Sequence, residues 1–202
     1  MSKQFADLGI QESITKALSD LKIVVPTEIQ QKAIPLFLST QTDLVGLAKT
    51  GTGKTAAFGL PLLQLIDTKI TTIQVVVLAP TRELGHQIFS NLEAFAKYLP
   101  EVSIAEICGG IPIKPQIERL TSPTHIVVAT PGRLIDLIQR KAINLKETKF
   151  LVLDEADEMV IILKESLDEI IAEFPATHKT FLFSATMPGT IKQLIQNYLK
   201  FQ

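Results

Sequence analysis

Phe150-Leu151-Val152-Leu153-Asp154-Glu155-Ala156-Asp157 is an apolar run that stops abruptly at three carboxylates. Four large apolar residues in a row read as a strand buried on both faces, as in the interior of a parallel sheet. Carboxylates at the end of such a strand stand at the carboxyl edge of the sheet, where open α/β sheets bind ligands. About a hundred residues upstream lies a second ligand-binding signal, Ala48-Lys49-Thr50-Gly51-Thr52-Gly53-Lys54-Thr55. Together the two segments suggest a phosphate cradle facing carboxylates that handle a metal ion and water.

Working outward, apolar runs at Asp43 to Leu47, Ile73 to Ala79, Ser103 to Ile107, His125 to Ala129, Lys149 to Leu153 and Thr180 to Phe183 read as strands. Helical patterns separate them: Lys54 to Ile66, Arg82 to Tyr98, Pro131 to Arg140, Lys164 to Phe174 and Thr190 to Leu199. Strand alternating with helix predicts an α/β fold, a doubly wound and mainly parallel sheet with helices on both faces. Two further helices, near Gln11 to Leu21 and Glu28 to Leu38, precede the first strand. The expected division is therefore an N-terminal extension, 1–40, and an α/β domain, 41–202. Thr130-Pro131 puts an N-cap residue before proline at the first helical position. Like Pro80-Thr81 and Met187-Pro188, it marks a strand end on the same edge of a right-handed parallel fold.

Composition sets bounds without choosing a function. The chain has 202 residues, 46% hydrophobic and 20% charged, as in an ordinary globular protein. Its longest apolar runs are too short to span a bilayer, and Met1-Ser2-Lys3-Gln4 carries no export signal. One cysteine, Cys108, rules out an internal disulfide framework and suits a reducing cytoplasm. His86, His125 and His178 lack metal-ligand spacing. A net charge of −1 means that any nucleic-acid contact must come from a local basic face.

In the glycine-rich segment, Gly51 and Gly53 allow successive backbone amides to turn toward an anion, at the positive end of the next helix. Lys54 would neutralise the β- and γ-phosphates and the Thr55 hydroxyl would help to hold Mg²⁺. A plain turn with a solvated lysine is the competing reading, and the strand before and helix after argue against it. Asp154 would hold Mg²⁺ through its water shell, and Glu155 would orient the attacking water. The competing reading is an acidic helix N-terminus favoured by the helix dipole.

Asp154-Glu155-Ala156-Asp157 after a loop ending Gly53-Lys54-Thr55 resembles the DEAD-box family of ATP-dependent RNA helicases. Pro80-Thr81-Arg82-Glu83-Leu84, Gly109-Gly110 followed by Gln116, Thr130-Pro131-Gly132-Arg133 and Ser184-Ala185-Thr186 resemble its other signatures, in order. Pro26-Thr27-Glu28-Ile29-Gln30 resembles its adenine-reading Q motif. The resemblance runs from Phe5 to Phe201 and implies a RecA-like P-loop NTPase domain that takes ATP and Mg²⁺. It implies nucleotide contacts at Phe5, Gln30, Thr50, Gly51, Thr52, Gly53, Lys54 and Thr55, with catalysis by Lys54, Asp154 and Glu155. It implies backbone contacts to RNA at Pro80, Thr81, Arg82, Gly110, Thr130, Gly132 and Arg133, and coupling of the two ligands through Asp157, Ser184 and Thr186.

Chemistry supports these roles and keeps rivals in view. A glutamine amide can donate and accept at once toward adenine, yet Thr27-x-x-Gln30 also fits a helix capping box. Phe5 would stack on adenine or simply pack in the core. Arg82 offers a forked donor for phosphate or points to solvent, and Gly109-Gly110 could be an ordinary turn. Ser184 and Thr186 are placed to bond Asp154 or Asp157. Cys108 reads as a small buried hydrophobe.

The chain departs from the family pattern at three places. Lys22-Ile23 stand where glycine and an aromatic are usual, which would loosen adenine packing. Gly85 replaces a common alanine, and Val160 to Leu163 replace a glycine-aromatic pair and are expected to pack locally. Family members carry a second RecA-like domain that supplies arginine fingers. The resemblance therefore implies an N-terminal domain, monomeric and cytoplasmic, that binds nucleotide but hydrolyses slowly and unwinds nothing by itself. A helicase-like ATPase acting on DNA and a non-catalytic RNA scaffold are the rival readings; intact Lys54, Thr55, Asp154 and Glu155 weigh against the second.

Overall fold

A computed structural model describes residues 3–39 and 42–199. The elements run in the order α1 (Glu12–Asp20), α2 (Glu28–Ser39), β1 (Leu44–Leu47), α3 (Lys54–Leu65), β2 (Val75–Leu78), α4 (Arg82–Phe95), β3 (Ile104–Ile107) and α5 (Lys114–Leu120). There follow β4 (Ile126–Ala129), α6 (Pro131–Gln139), β5 (Phe150–Leu153), α7 (Ala156–Ala172), β6 (Lys179–Ser184) and α8 (Gly189–Tyr198). All six expected strands are present, in one sheet of order β1-β6-β5-β2-β4-β3 whose pairings are all parallel.

The side-chain alternation of a strand explains why both faces need helices. Val75, Val77, Val128, Val152, Phe181 and Phe183 share one core with residues of α1 to α4. Val76, Leu78, Val127, Leu151, Leu153 and Leu182 share another with residues of α6, α7 and α8. Strands β2, β4 and β5 are buried at every position, so apolar residues on both sides are required. Phe5, Leu8, Ile10, Ile14, Leu18, Ile34 and Phe37 enter the first of these cores. Residues 3–39 thus form a layer over α3 and the sheet.

Two elements differ from the sequence expectation. Helix α7 begins at Ala156, immediately after the carboxylates, instead of near Lys164. Asp157 and Glu158 lie in its first turn, where the helix dipole favours negative charge, so the acidic helix start and the strand-end site are one feature. Side chains 160–166, including Val160 to Leu163, and Phe201 lie outside the described residues. The short helix α5 was not anticipated, because its seven residues are too few to display a helical period.

Candidate active site at the carboxyl edge

Register brings distant motifs together. Leu47 pairs with Ser184, and Leu153 pairs with both Leu182 and Leu78. The loop after β1, the Ser184–Thr186 segment after β6 and the carboxylates after β5 therefore emerge side by side. The ends of β2, β4 and β3 form the other half of the same edge.

The first half is built on left-handed backbone. Gly51 and Gly53 have φ of 80° and 89°, which other residues adopt at a cost. A Cβ on Gly53 would also run into the Gln30 amide. Thr52 and Gly53 are braced from α2: the Thr27 hydroxyl donates to the Thr52 carbonyl at 2.9 Å, and Gln30 Nε2 donates to the Gly53 carbonyl at 3.0 Å. Gln30 Oε1 also accepts from the Thr27 amide at 2.9 Å, half of a capping box. Capping is thus present, with the other end of the same amide holding the glycine loop.

Behind the loop lies a buried charge cluster. Lys54 is 5% exposed, and its Nζ lies 2.9 Å from Glu155 Oε1 and 3.6 Å from Asp154 Oδ1. Thr50 Oγ1 donates to Glu155 Oε1 at 3.0 Å, and the Glu155 amide donates to Asp154 Oδ1 at 3.0 Å. Burial raises the Asp154 carboxyl to about 6 despite the neighbouring Lys54 ammonium. Glu155 has φ 53°, a left-handed conformation that costs a β-carbon residue about 1–2 kcal/mol. Strain of that kind collects at functional positions, and here it turns the carboxylate toward Thr50 and Lys54.

These groups line a cleft of about 380 Å³ with Ile23, Thr27, Gln30, Gly51, Thr55 and Ala56. Leu84, Gln87, Asn91 and Phe95 of α4 form another wall, which sequence reasoning missed. Gln87 and Asn91 stand at (i, i+4) spacing among polar residues, and nothing in that pattern separates a cleft wall from a solvated face. The donor set fits a magnesium ion, which uses one or two carboxylates plus phosphate and water rather than a protein cage. Asp154 is a buried carboxylate that shares the single Lys54 ammonium with Glu155, and Thr55 lines the same cleft. No cluster of three metal-ligating side chains exists among the described residues. Phe5 is 3% exposed in the core and is not among the residues that line the cleft; packing is the role it has in this structure.

In the second half, Thr81 caps α4, its hydroxyl accepting from the Leu84 amide at 3.2 Å. Arg82 in the first turn is exposed, and Nη1 would lie 3.6 Å from a Cβ on Gly110. Thr130 occupies the N-cap position of α6 without capping it, because its hydroxyl accepts from the Gly109 amide at 3.0 Å. Arg133 Nη2 donates to the Ile111 carbonyl at 2.8 Å, and its Nη1 is buried without a partner among the described residues. Gly132 has open space where a side chain would stand. The structure therefore gathers Arg82, Gly110, Thr130 and Arg133 beside Pro80 and Thr81, a surface of forked cations and backbone amides.

A hydrogen-bonded link borders the first half. Thr186 donates to Asp157 Oδ2 through its amide at 3.1 Å and its hydroxyl at 2.7 Å, while Ser184 Oγ donates to the Thr186 carbonyl at 2.7 Å. Of the two carboxylates open to it from sequence, Thr186 takes Asp157. Burial works to raise the Asp157 carboxyl, but the two hydrogen bonds from Thr186, with the Ser184 hydroxyl nearby, outweigh it and hold it below its ordinary value.

The DEAD/DEAH box helicase family model matches residues 27–194. The chain is 44% identical over 196 residues to the ATP-dependent RNA helicase DeaD of Haemophilus influenzae, covering 96% of this chain and 32% of the relative. It is 42% identical to the DEAD-box ATP-dependent RNA helicase CshA of Bacillus cereus, covering 96% of this chain and 37% of the relative. It thus spans about a third of the length of the curated relatives it matches. A crystal structure of a DEAD box protein from Methanococcus jannaschii superposes with a TM-score of 0.89 at 38% identity, covering 98% of this chain and 55% of the other. A solved structure from Sulfolobus tokodaii, titled a hypothetical ATP-dependent RNA helicase, gives a TM-score of 0.84 at 37% identity. With the glycine loop, the Asp154–Asp157 turn and the strand order on the same sheet edge, the chain belongs to the DEAD/DEAH box helicase family.

Proposed function

We propose that this chain is the ATP-binding, RNA-contacting N-terminal domain of an ATP-dependent RNA helicase. The observation that carries the reading is the buried Lys54–Glu155–Asp154 cluster behind a left-handed glycine loop, in a cleft large enough for a nucleotide. Amides of the loop from Thr50 to Thr55 would cradle the phosphates. Lys54 would exchange Glu155 for the β- and γ-phosphate oxygens, which leaves Glu155 free to orient and deprotonate the attacking water. Magnesium, held by Asp154 through water and by Thr55, would supply charge neutralisation of the phosphates. Gln30 would report on the base through an amide already tied to the glycine loop.

RNA would lie across Pro80, Thr81, Arg82, Gly110, Thr130, Gly132 and Arg133. Contacts from arginine and backbone amides read the strand's phosphates and not its bases. The Asp157–Thr186 bonds, between the start of α7 and the end of β6, would pass nucleotide state toward that surface, together with Ser184. Among the described residues no arginine lines the cleft. We infer that a second RecA-like domain supplies the missing cations and the other half of the RNA clamp. The free buried thiol of Cys108 suits a cytoplasmic setting, and no helix among the described residues is long and apolar enough to cross a membrane.

The test compares ATP turnover with and without RNA for this chain and for its full-length parent. An arginine finger contributes about 10³–10⁵ in rate, so this polypeptide should turn over slowly and ignore RNA, whereas the parent responds. Robust RNA-stimulated turnover by this polypeptide would overturn the need for a second domain.

A further inference from the structure

On the amino edge of the sheet, opposite the cleft, a depression of about 290 Å³ opens where β2 and β4 begin. Thr71 and Thr72 from the approach to β2, Ser122 and Thr124 from the approach to β4, and Lys141 to Asn144 after α6 line it. Among the described residues, Lys141 is the only charged one in that lining. Among the described residues the Thr71 and Ser122 hydroxyls, the Lys141 ammonium and the Asn144 amide nitrogen make no hydrogen bond within the chain; all four residues are exposed and present these donors to solvent.

A second cation stands behind the floor. Arg119 donates to Thr124 Oγ1 at 3.0 Å, to Ser103 Oγ at 2.6 Å and to the Ile104 carbonyl at 3.1 Å, all neutral acceptors. Thr124, 3% exposed, passes that polarisation to its own hydroxyl, which donates to the Ser122 carbonyl at 3.1 Å. The carboxylate that touches the lining is Glu147, which accepts from the Thr72 hydroxyl at 2.8 Å.

Lys141 also sits where glycine would fit better. It has φ 54°, in the left-handed position after α6. Its amide donates to the Ile138 carbonyl at 2.8 Å and the Ala142 amide to the Leu137 carbonyl at 2.9 Å, a Schellman ending. Those bonds satisfy the last helix carbonyls, so the lysine ammonium is not needed there as a cap.

From the solvent-facing donors gathered around Lys141, the Arg119 cation behind Thr124 and a lining without a carboxylate among the described residues, we propose that this depression binds a phosphate group, with Lys141 as its charged contact. The site is separate from the glycine loop and does not rest on the ATP reading.

Residue-resolved amide shifts on addition of inorganic phosphate test it, with chloride at matched ionic strength as the control. Amides of Thr71, Ser122, Lys141, Ala142 and Asn144 should shift saturably, separately from those of Gly51 to Lys54. Lys141→Gly eases the backbone and keeps the fold, and should weaken the back-edge shifts by about tenfold, the scale of one charge-assisted bond. A short uridine oligonucleotide that shifts the same amides makes an RNA phosphodiester the source; silence from it, with phosphate active, makes free phosphate the source. No saturable shift at these amides, equal shifts with chloride, or equal affinity in Lys141→Gly would overturn the proposal.

Discussion

Lys22 has φ 60° at the end of α1, where its amide donates to the Ser19 carbonyl and the Ile23 amide to the Leu18 carbonyl. A Schellman ending favours glycine at this position, and among the described residues the Lys22 side chain makes no hydrogen bond or ion pair that offsets the left-handed strain. Lys22→Gly should therefore stabilise the chain by about 0.5–1 kcal/mol in denaturant unfolding. The same scale accounts for Gly85. A Cβ there would lie 2.7 Å from Cys108 Sγ, so alanine, favoured by helix propensity, is excluded by a neighbour in β3's following loop. Gly85→Ala should cost about 1–3 kcal/mol by overpacking, and Cys108→Ala in the same chain should recover most of it. The clash was invisible in sequence because it joins positions on different elements, whereas the cost of Gly85 to the helix was readable directly.

At the level of elements, α7 depends on how its first turn is held. The Thr186 bonds to Asp157 keep that carboxyl below its ordinary value of 3.8, so their contribution is fully present above that pH and is lost as pH falls through the depressed value. Thr186→Val should cost about 1 kcal/mol at neutral pH. Its melting curve should converge on that of the parent sequence in strong acid; a gap that persists there would mean that the hydroxyl acts by some other route. The strands were legible because four-residue apolar runs flanked by polar breaks have few other interpretations. The start of α7 was not, since Asp154 to Glu158 serve a strand end, a tight turn and a helix N-terminus within five residues. The bracing of the glycine loop by Thr27 and Gln30 lay half in view: the capping-box spacing was evident, but Gln30 Nε2 bonding to the Gly53 carbonyl requires knowing that α2 crosses the loop.

Across the whole molecule, the strand order separates two sets of loops on one edge. Ends of β1, β6 and β5 carry the glycine loop, Ser184–Thr186 and the carboxylates; ends of β2, β4 and β3 carry Arg82, Thr130, Arg133 and Gly110. Motif order along the chain showed which residues belong to the edge but not this division, because crossover connections scatter neighbouring strand ends along the sequence. The central claim is that the first half binds nucleotide through Lys54. Titration of Mg·ATP into this chain and into Lys54→Ala, with both confirmed folded by thermal melting, tests it most directly. Loss of a charge-assisted phosphate contact should weaken binding by about tenfold or more, whereas equal affinities would contradict the assignment of the cleft.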